Sequence, residues 1–203
     1  MDMKKAKKES STFTRDIEIN SIRKMEGEGN DRKFQLSFSS EEPYERYWGR
    51  EILDHATGAV DLTRLQEIGC VLFNHDRDVV IGKVVRVWLE NNRGYAEIEF
   101  DSDDESEKIY QKVENGTLKG VSVGYRVTAW EEVMNNKTSS DGRFSGPARI
   151  ARKWMPFEIS IVSVPADSTV GVGRELETEV SGQNRGNTLA MNERQLAVNK
   201  NYI

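Results

Sequence analysis

One cysteine and two histidines are all that the 203 residues contain of the strongest transition-metal ligands. A lone thiol closes no disulfide within the chain, and one Cys with two His falls short of a closed four-ligand zinc site. Cys70 lies in the apolar run Gly69-Cys70-Val71-Leu72-Phe73. That setting marks it as a small core residue in a reducing compartment, not as a nucleophile. Long apolar runs are missing too. None approaches the roughly 20 residues that span a bilayer, so no membrane association is expected. The N-terminus is charged with no apolar stretch behind it, unlike a secretory signal. The sequons at Asn115 and Asn136 mean little without that route. Excess positive charge is also absent: a net charge of -5 gives no general electrostatic reason to hold nucleic acid. The one basic cluster, Lys4, Lys5, Lys7 and Lys8, reads as a solvated arm.

Hydrophobic residues make up 36% and charged residues 31%, which places part of the chain outside the packed core. Three regions are expected: a flexible basic arm over residues 1–12, one domain over 13–173, and a polar, disordered tail over 174–203, poor in apolar residues and rich in breakers. In the middle region period-two segments dominate. Ala96, Ile98 and Phe100 alternate with Tyr95, Glu97 and Glu99, and Phe34-Gln35-Leu36-Ser37-Phe38 does the same, as half-buried strands do. Residues 71–73, 79–88, 121–127 and 157–164 read as further strands, the last stopped by Pro165. One helix is well marked: Asp103 and Asp104 suit its start, Ile109 and Val113 share a face, and Asn115-Gly116 closes it. A second is expected over 62–68 with Asp61 as its cap. Residues 134–146 read as a polar loop. The sum is a mainly β domain, an antiparallel β-barrel with a few helices outside it.

His75 is the most informative residue. It follows strand 71–73 directly, in Asn74-His75-Asp76, and another apolar strand starts at Val79. A histidine at a strand end has a rigid support and a ring free to reach a cleft, as a general base needs. The competing reading is a hydrogen-bonded surface residue in a tight turn. His55, in Asp54-His55-Ala56, reads as an ordinary turn residue with a structural or surface role. Ser122 lies in Gly120-Val121-Ser122-Val123-Gly124. Flanking glycines let a substrate backbone come close and can present N–H groups, yet a solvent-facing serine in a Gly-rich strand fits equally. No strand-to-helix turn is signalled, so it is not read as a nucleophile elbow. Glu158 interrupts the apolar run Phe157-Glu158-Ile159-Ser160-Ile161. It is either an outward-facing strand residue or a buried carboxylate with a partner such as a His ring. Ser160 and Ser163 read as sheet residues.

Four blocks in order carry a family resemblance: residues 45–53, Glu45-Arg46-Tyr47-Trp48-Gly49 onward; Val71-Leu72-Phe73-Asn74-His75-Asp76 with Ile81-Gly82; Leu118-Lys119-Gly120-Val121-Ser122-Val123-Gly124-Tyr125; and residues 158–167, from Glu158-Ile159-Ser160 to Pro165-Ala166-Asp167. Together, over residues 15 to 173, they resemble the prohead maturation proteases of tailed bacteriophages, the HK97-like group. The resemblance implies a β-barrel surrounded by helices, similar to the herpesvirus assemblins, and a cofactor-free Ser/His site. The family's histidine falls on His75 and its serine on Ser122. Assemblins use a second histidine after the nucleophile, and no histidine follows Ser122 here. Glu158 takes that place in chain order, with Asp76 and Glu97 as competitors. The implied role is a serine endopeptidase acting in the host cytoplasm, inside the assembling prohead. Its implied substrates are a scaffold protein or the scaffolding part of the major capsid protein, and the protease itself. A homo-oligomer is possible by the same analogy. The tail from Arg174 is a candidate for self-cleavage or scaffold docking. The alternative is a non-enzymatic capsid-assembly or scaffold protein on the same fold.

Overall fold

Alternating apolar residues bury one face of a strand, and the next strand must bury the same face. The computed structural model, which describes residues 12–17 and 22–164, shows that pattern carried through ten strands and two helices. In chain order they are β1 (Thr12–Ile17), β2 (Ile22–Lys24), β3 (Lys33–Ser40), β4 (Tyr44–Arg46), β5 (Gly49–Leu53), α1 (Thr63–Ile68), β6 (Cys70–Phe73), β7 (Asp76–Glu90), β8 (Arg93–Phe100), α2 (Asp104–Glu114), β9 (Gly120–Val133) and β10 (Ala148–Val162). The expected arm up to residue 11 and the tail 174–203 lie outside the described residues, as does Pro165.

The strands form one sheet in the order β1-β9-β10-β6-β7-β8-β3-β2, with β5 beside β10 and β4 beside β5. The sheet curls into a half-barrel whose path ends at β1 and β2. The expectation of an antiparallel barrel is corrected here: the sheet is mixed. β10 runs parallel to β6 (Ile159 opposite Val71) and to β5 (Ile150 opposite Ile52). Parallel neighbours need a long crossover, and their residues are about 90 to 100 positions apart. No turn signal in the sequence could announce such a pair.

The core lies on one face of the sheet. Phe34, Leu36, Ile98, Phe100, Val121, Val123, Tyr125, Ile159 and Ile161 are all buried in one cluster. α2 closes one end with Ile109, Tyr110 and Val113. Its Asp103 cap accepts from the Glu105 and Ser106 amides, and Gly116 follows Asn115 with a φ of 76°, as the composition of that segment anticipates. α1 begins one residue later than expected. Leu62 occupies the cap position, and Asp61 accepts from the Thr63 amide at 3.0 Å. The polar stretch after Met134 is a loop, held by Arg152, which bonds Asp54, Glu131 and Asp141 at once.

Candidate active site

β10 is the platform. Its Ile159, Ser160 and Ile161 pair with Val123, Ser122 and Val121 of β9 on one side and with Val71, Leu72 and Phe73 of β6 on the other. Directly paired residues share a face of the sheet. Ile159 and Ile161 therefore join Val121 and Val123 in the core, and Ser160 faces the same way as Ser122. Counted on from Trp154 and Pro156, which pair with Val127 and Tyr125, unbroken alternation would place Glu158 on the core face. Pro156 pairs with Tyr125 and Glu158 with Gly124, which leaves Phe157 as an extra residue. This β-bulge advances the alternation by one and turns Glu158 to the side of Ser122. It is also the kind of place where a strand admits a proline.

Gly124 makes room for the carboxylate. A Cβ there would stand 2.3 Å from Glu158 Oε1 and 2.8 Å from the Phe157 ring.

The histidine comes from a tight hairpin. Phe73 pairs with Asp76, so Asn74 and His75 are the two-residue loop joining β6 to β7. Both have positive φ, 53° and 60°, as the primed turns of such hairpins require. Asn adopts this backbone readily, and His does so less often. Hydrogen bonds hold the turn on β10. The Asn74 amide donates to the Ile161 carbonyl at 2.9 Å, and Asn74 Oδ1 accepts from the Ser163 amide at 2.9 Å. The His75 amide donates to Ser160 Oγ at 3.2 Å.

That backbone aims the ring across β10. His75 Nε2 lies 2.8 Å from Ser122 Oγ, and Nδ1 lies 2.7 Å from Glu158 Oε1. The other carboxylate oxygen, Oε2, accepts from the Ser160 hydroxyl at 2.8 Å. A buried carboxylate is costly unless hydrogen-bonded, and here both oxygens are occupied. The Glu158 side chain is 8% exposed and that of His75 28%, so the pair is largely shielded while the imidazole keeps an open edge. A carboxylate against Nδ1 fixes the proton there and leaves Nε2 to accept from a hydroxyl. Such a chain can move a proton off Oγ as that oxygen attacks a carbonyl.

Ser122 stands within β9, two residues after its start. Its neighbours spell Gly-x-Ser-x-Gly, but β9 runs on to Val133 with no turn into a helix. Ser122 has no exposed surface. β1 lies antiparallel along the outer edge of β9, with Asp16 opposite Ser122, and the Arg15 carbonyl oxygen is 3.1 Å from Ser122 Oγ.

The structure thus brings Ser122, His75 and Glu158 together. The competing carboxylates have other partners: Asp76 Oδ1 accepts from the Asp78 amide at 2.9 Å, and Glu97 on β8 faces Arg86 at 3.8 Å. His55 is a buried structural residue. Its Nδ1 donates to the Leu53 carbonyl at 2.9 Å, Nε2 accepts from Ser39 Oγ at 2.7 Å, and burial pushes its pKa down to about 4. Burial likewise pushes the Cys70 thiol up, away from reactivity. Sequence reasoning read Ser160 as a sheet residue and Gly124 as room for a substrate backbone, and missed that both serve Glu158. A two-residue spacing puts Glu158 and Ser160 on one strand face, and a glycine inside a strand marks a close approach.

Known proteins resemble this chain in three ways. The major capsid protein of Halomonas phage phiHAP-1 is 38% identical over 150 residues, which are 72% of this chain and 24% of that protein; the chain spans about a quarter of that relative. The solved structure of the bacteriophage T4 capsid assembly protease aligns with 77% of this chain and 99% of its own, at 13% identity and a TM-score of 0.48. The model of the caudovirus prohead serine proteases matches residues 28–181, a span that contains His75, Ser122 and Glu158, and by that match the chain belongs to the prohead serine protease family of tailed phages.

Proposed function

We propose that the chain is a serine endopeptidase in which Ser122 is the nucleophile, His75 the general base and Glu158 the carboxylate that orients the imidazole. The observation that carries this reading is the continuous hydrogen-bonded path from Ser122 Oγ through His75 to Glu158, at 2.8 and 2.7 Å. His75 Nε2 takes the hydroxyl proton as Oγ attacks a peptide carbonyl, and Glu158 stabilises the imidazolium that results. The proton passes to the leaving amine, and water then releases the acyl group by the same route.

The substrates in this reading are the scaffold protein or the scaffolding part of the major capsid protein, and the protease itself, cut within the assembling prohead in the host cytoplasm. Membership of the prohead protease family supports this, as does the relative named as a major capsid protein. The test is co-expression with a candidate capsid or scaffold protein, comparing the wild type with Ser122→Ala by intact mass. Loss of every cleavage in the variant is the expected result. Cleavage that persists in Ser122→Ala would assign the nucleophile to another residue, and a wild type that cuts nothing would favour a scaffold role without catalysis.

A further inference from the structure

β1 lies on β9 as an added substrate strand would. It pairs antiparallel from Thr12 opposite Arg126 to Ile17 opposite Val121, and the carbonyl it brings against Ser122 is that of Arg15. Resting on the reading of Ser122 as nucleophile, we propose that β1 marks the substrate path and that Arg15 occupies the position before the scissile bond. The protease then cuts after arginine, at Arg15–Asp16 in its own chain and in other extended segments.

Arg15 is 3% exposed, and a guanidinium buried so deeply needs groups around it that receive it. Its Nη2 donates to the Glu42 carbonyl and its guanidinium lies over the Tyr44 ring, 5.4 Å from the centroid, while its Nη1 is buried without a hydrogen-bond partner among the described residues. Glu51 supplies the nearby negative charge and has no exposed surface. Its Oε1 is held by the Tyr125 hydroxyl and by Arg46, while its Oε2 has no hydrogen-bond partner among the described residues. Arg46 also donates to the Thr14 carbonyl at 2.5 Å and so grips the backbone of the strand. Two residues upstream, Phe13 stacks on Tyr125 with centroids 5.8 Å apart and meets Trp130 edge-on at 5.7 Å. Side chains two apart on a strand share a face. The cleft therefore offers an aromatic place and, next to the nucleophile, a place for arginine.

The step balances without any co-reactant. The Ser122 hydroxyl proton goes to His75 Nε2, and Oγ bonds to the Arg15 carbonyl carbon. The bond to the Asp16 nitrogen breaks, and that nitrogen takes the proton from His75. Water hydrolyses the ester, leaving one chain that ends at Arg15 and one that begins at Asp16.

Two readouts on the full chain and on Ser122→Ala test this: intact mass of the protein over time, and mass-spectrometric mapping of cuts in a proteome-derived peptide library. The expected result is a Ser122-dependent species that begins at Asp16, with arginine preceding the library cuts at least about tenfold above its background frequency. Arg15→Glu should slow the self-cut by about a hundredfold or more. Glu51→Gln should lower the ratio of cuts after Arg to cuts after Gln by about tenfold, a ratio within one enzyme that partial misfolding leaves unchanged. Ser122-dependent cuts with no preference for arginine would overturn the pocket and leave the nucleophile in place. If neither readout shows a Ser122-dependent cut, the nucleophile assignment falls, and the pocket with it.

Discussion

Gly124 and Glu158 face each other across β9 and β10, and the carboxylate occupies the space that a side chain at Gly124 would need: a Cβ there would lie 2.3 Å from Oε1. The Gly124→Ala variant should therefore displace Glu158 from His75. The expected loss is about a hundredfold in kcat, with a fall in stability of about 1–3 kcal/mol from overpacking. Steady-state kinetics alongside thermal unfolding separate the two effects. Full activity in the variant would mean that the carboxylate does not depend on that space.

Ser160 links the backbone of His75 to the far oxygen of Glu158 through one hydroxyl. It touches no reacting atom and acts by positioning. The Ser160→Ala variant should lose about tenfold in kcat with KM unchanged, the size expected when a buried carboxylate oxygen loses a donor. Ser160→Thr keeps the hydroxyl and should recover most of that loss. Equal defects in both variants would point to packing and not to the hydrogen bond.

Glu158→Gln tests the third member directly. An amide keeps the shape but carries no charge to stabilise the imidazolium, and it can bond the wrong tautomer of His75. The expected drop in kcat is on the order of 10⁴, far beyond the effect of Ser160→Ala. A drop below tenfold would remove Glu158 from the mechanism.

His55 stays neutral in the fold down to about pH 4, against an ordinary value of 6.5, because it is buried. Between those limits the unfolded chain binds a proton that the folded chain does not, so stability falls as pH drops through this window and is level above it. The whole difference amounts to roughly 3 kcal/mol. Unfolding measured from pH 8 to pH 4 should show a shallower fall in His55→Asn than in the wild type, since carboxylate contributions are common to both and cancel. Parallel curves would mean that His55 is not held neutral.

Much of the local structure was legible because local chemistry decides it. The alternation in β8 and the cap of α2 act within a few residues, and the polar positions at Ser122 and Glu158 break apolar runs that otherwise invite no exception. The mixed sheet was not legible, because β10 meets β5 and β6 only through the tertiary fold. Neither was the start of β10: the strand begins at Ala148, well before the segment from Phe157 that periodicity marked, since the Arg and Lys residues of its first half mask the pattern. His55 read as a turn residue because nothing near it in sequence announces Ser39 or Trp154, which enclose it. The loop after Met134 gave no periodicity to read, and its order comes from arginine pairs with distant acids.

The extra residue at Phe157 divides β10 into a point where its length is free and a stretch beyond it where its length is fixed. Deleting Phe157 would remove the bulge and leave Glu158 opposite Gly124 and Ser160 opposite Ser122. Deleting Ile159, with Ser160 kept opposite Ser122, would instead carry Glu158 opposite Val123 on the core face. An insertion in the loop after Met134 changes nothing of the kind. Change in this region should therefore be tolerated as substitution, as loop growth or as loss of the bulge residue, and refused as a gain or loss of a single residue between Glu158 and Ser160, where one step moves the carboxylate to the wrong side of the sheet.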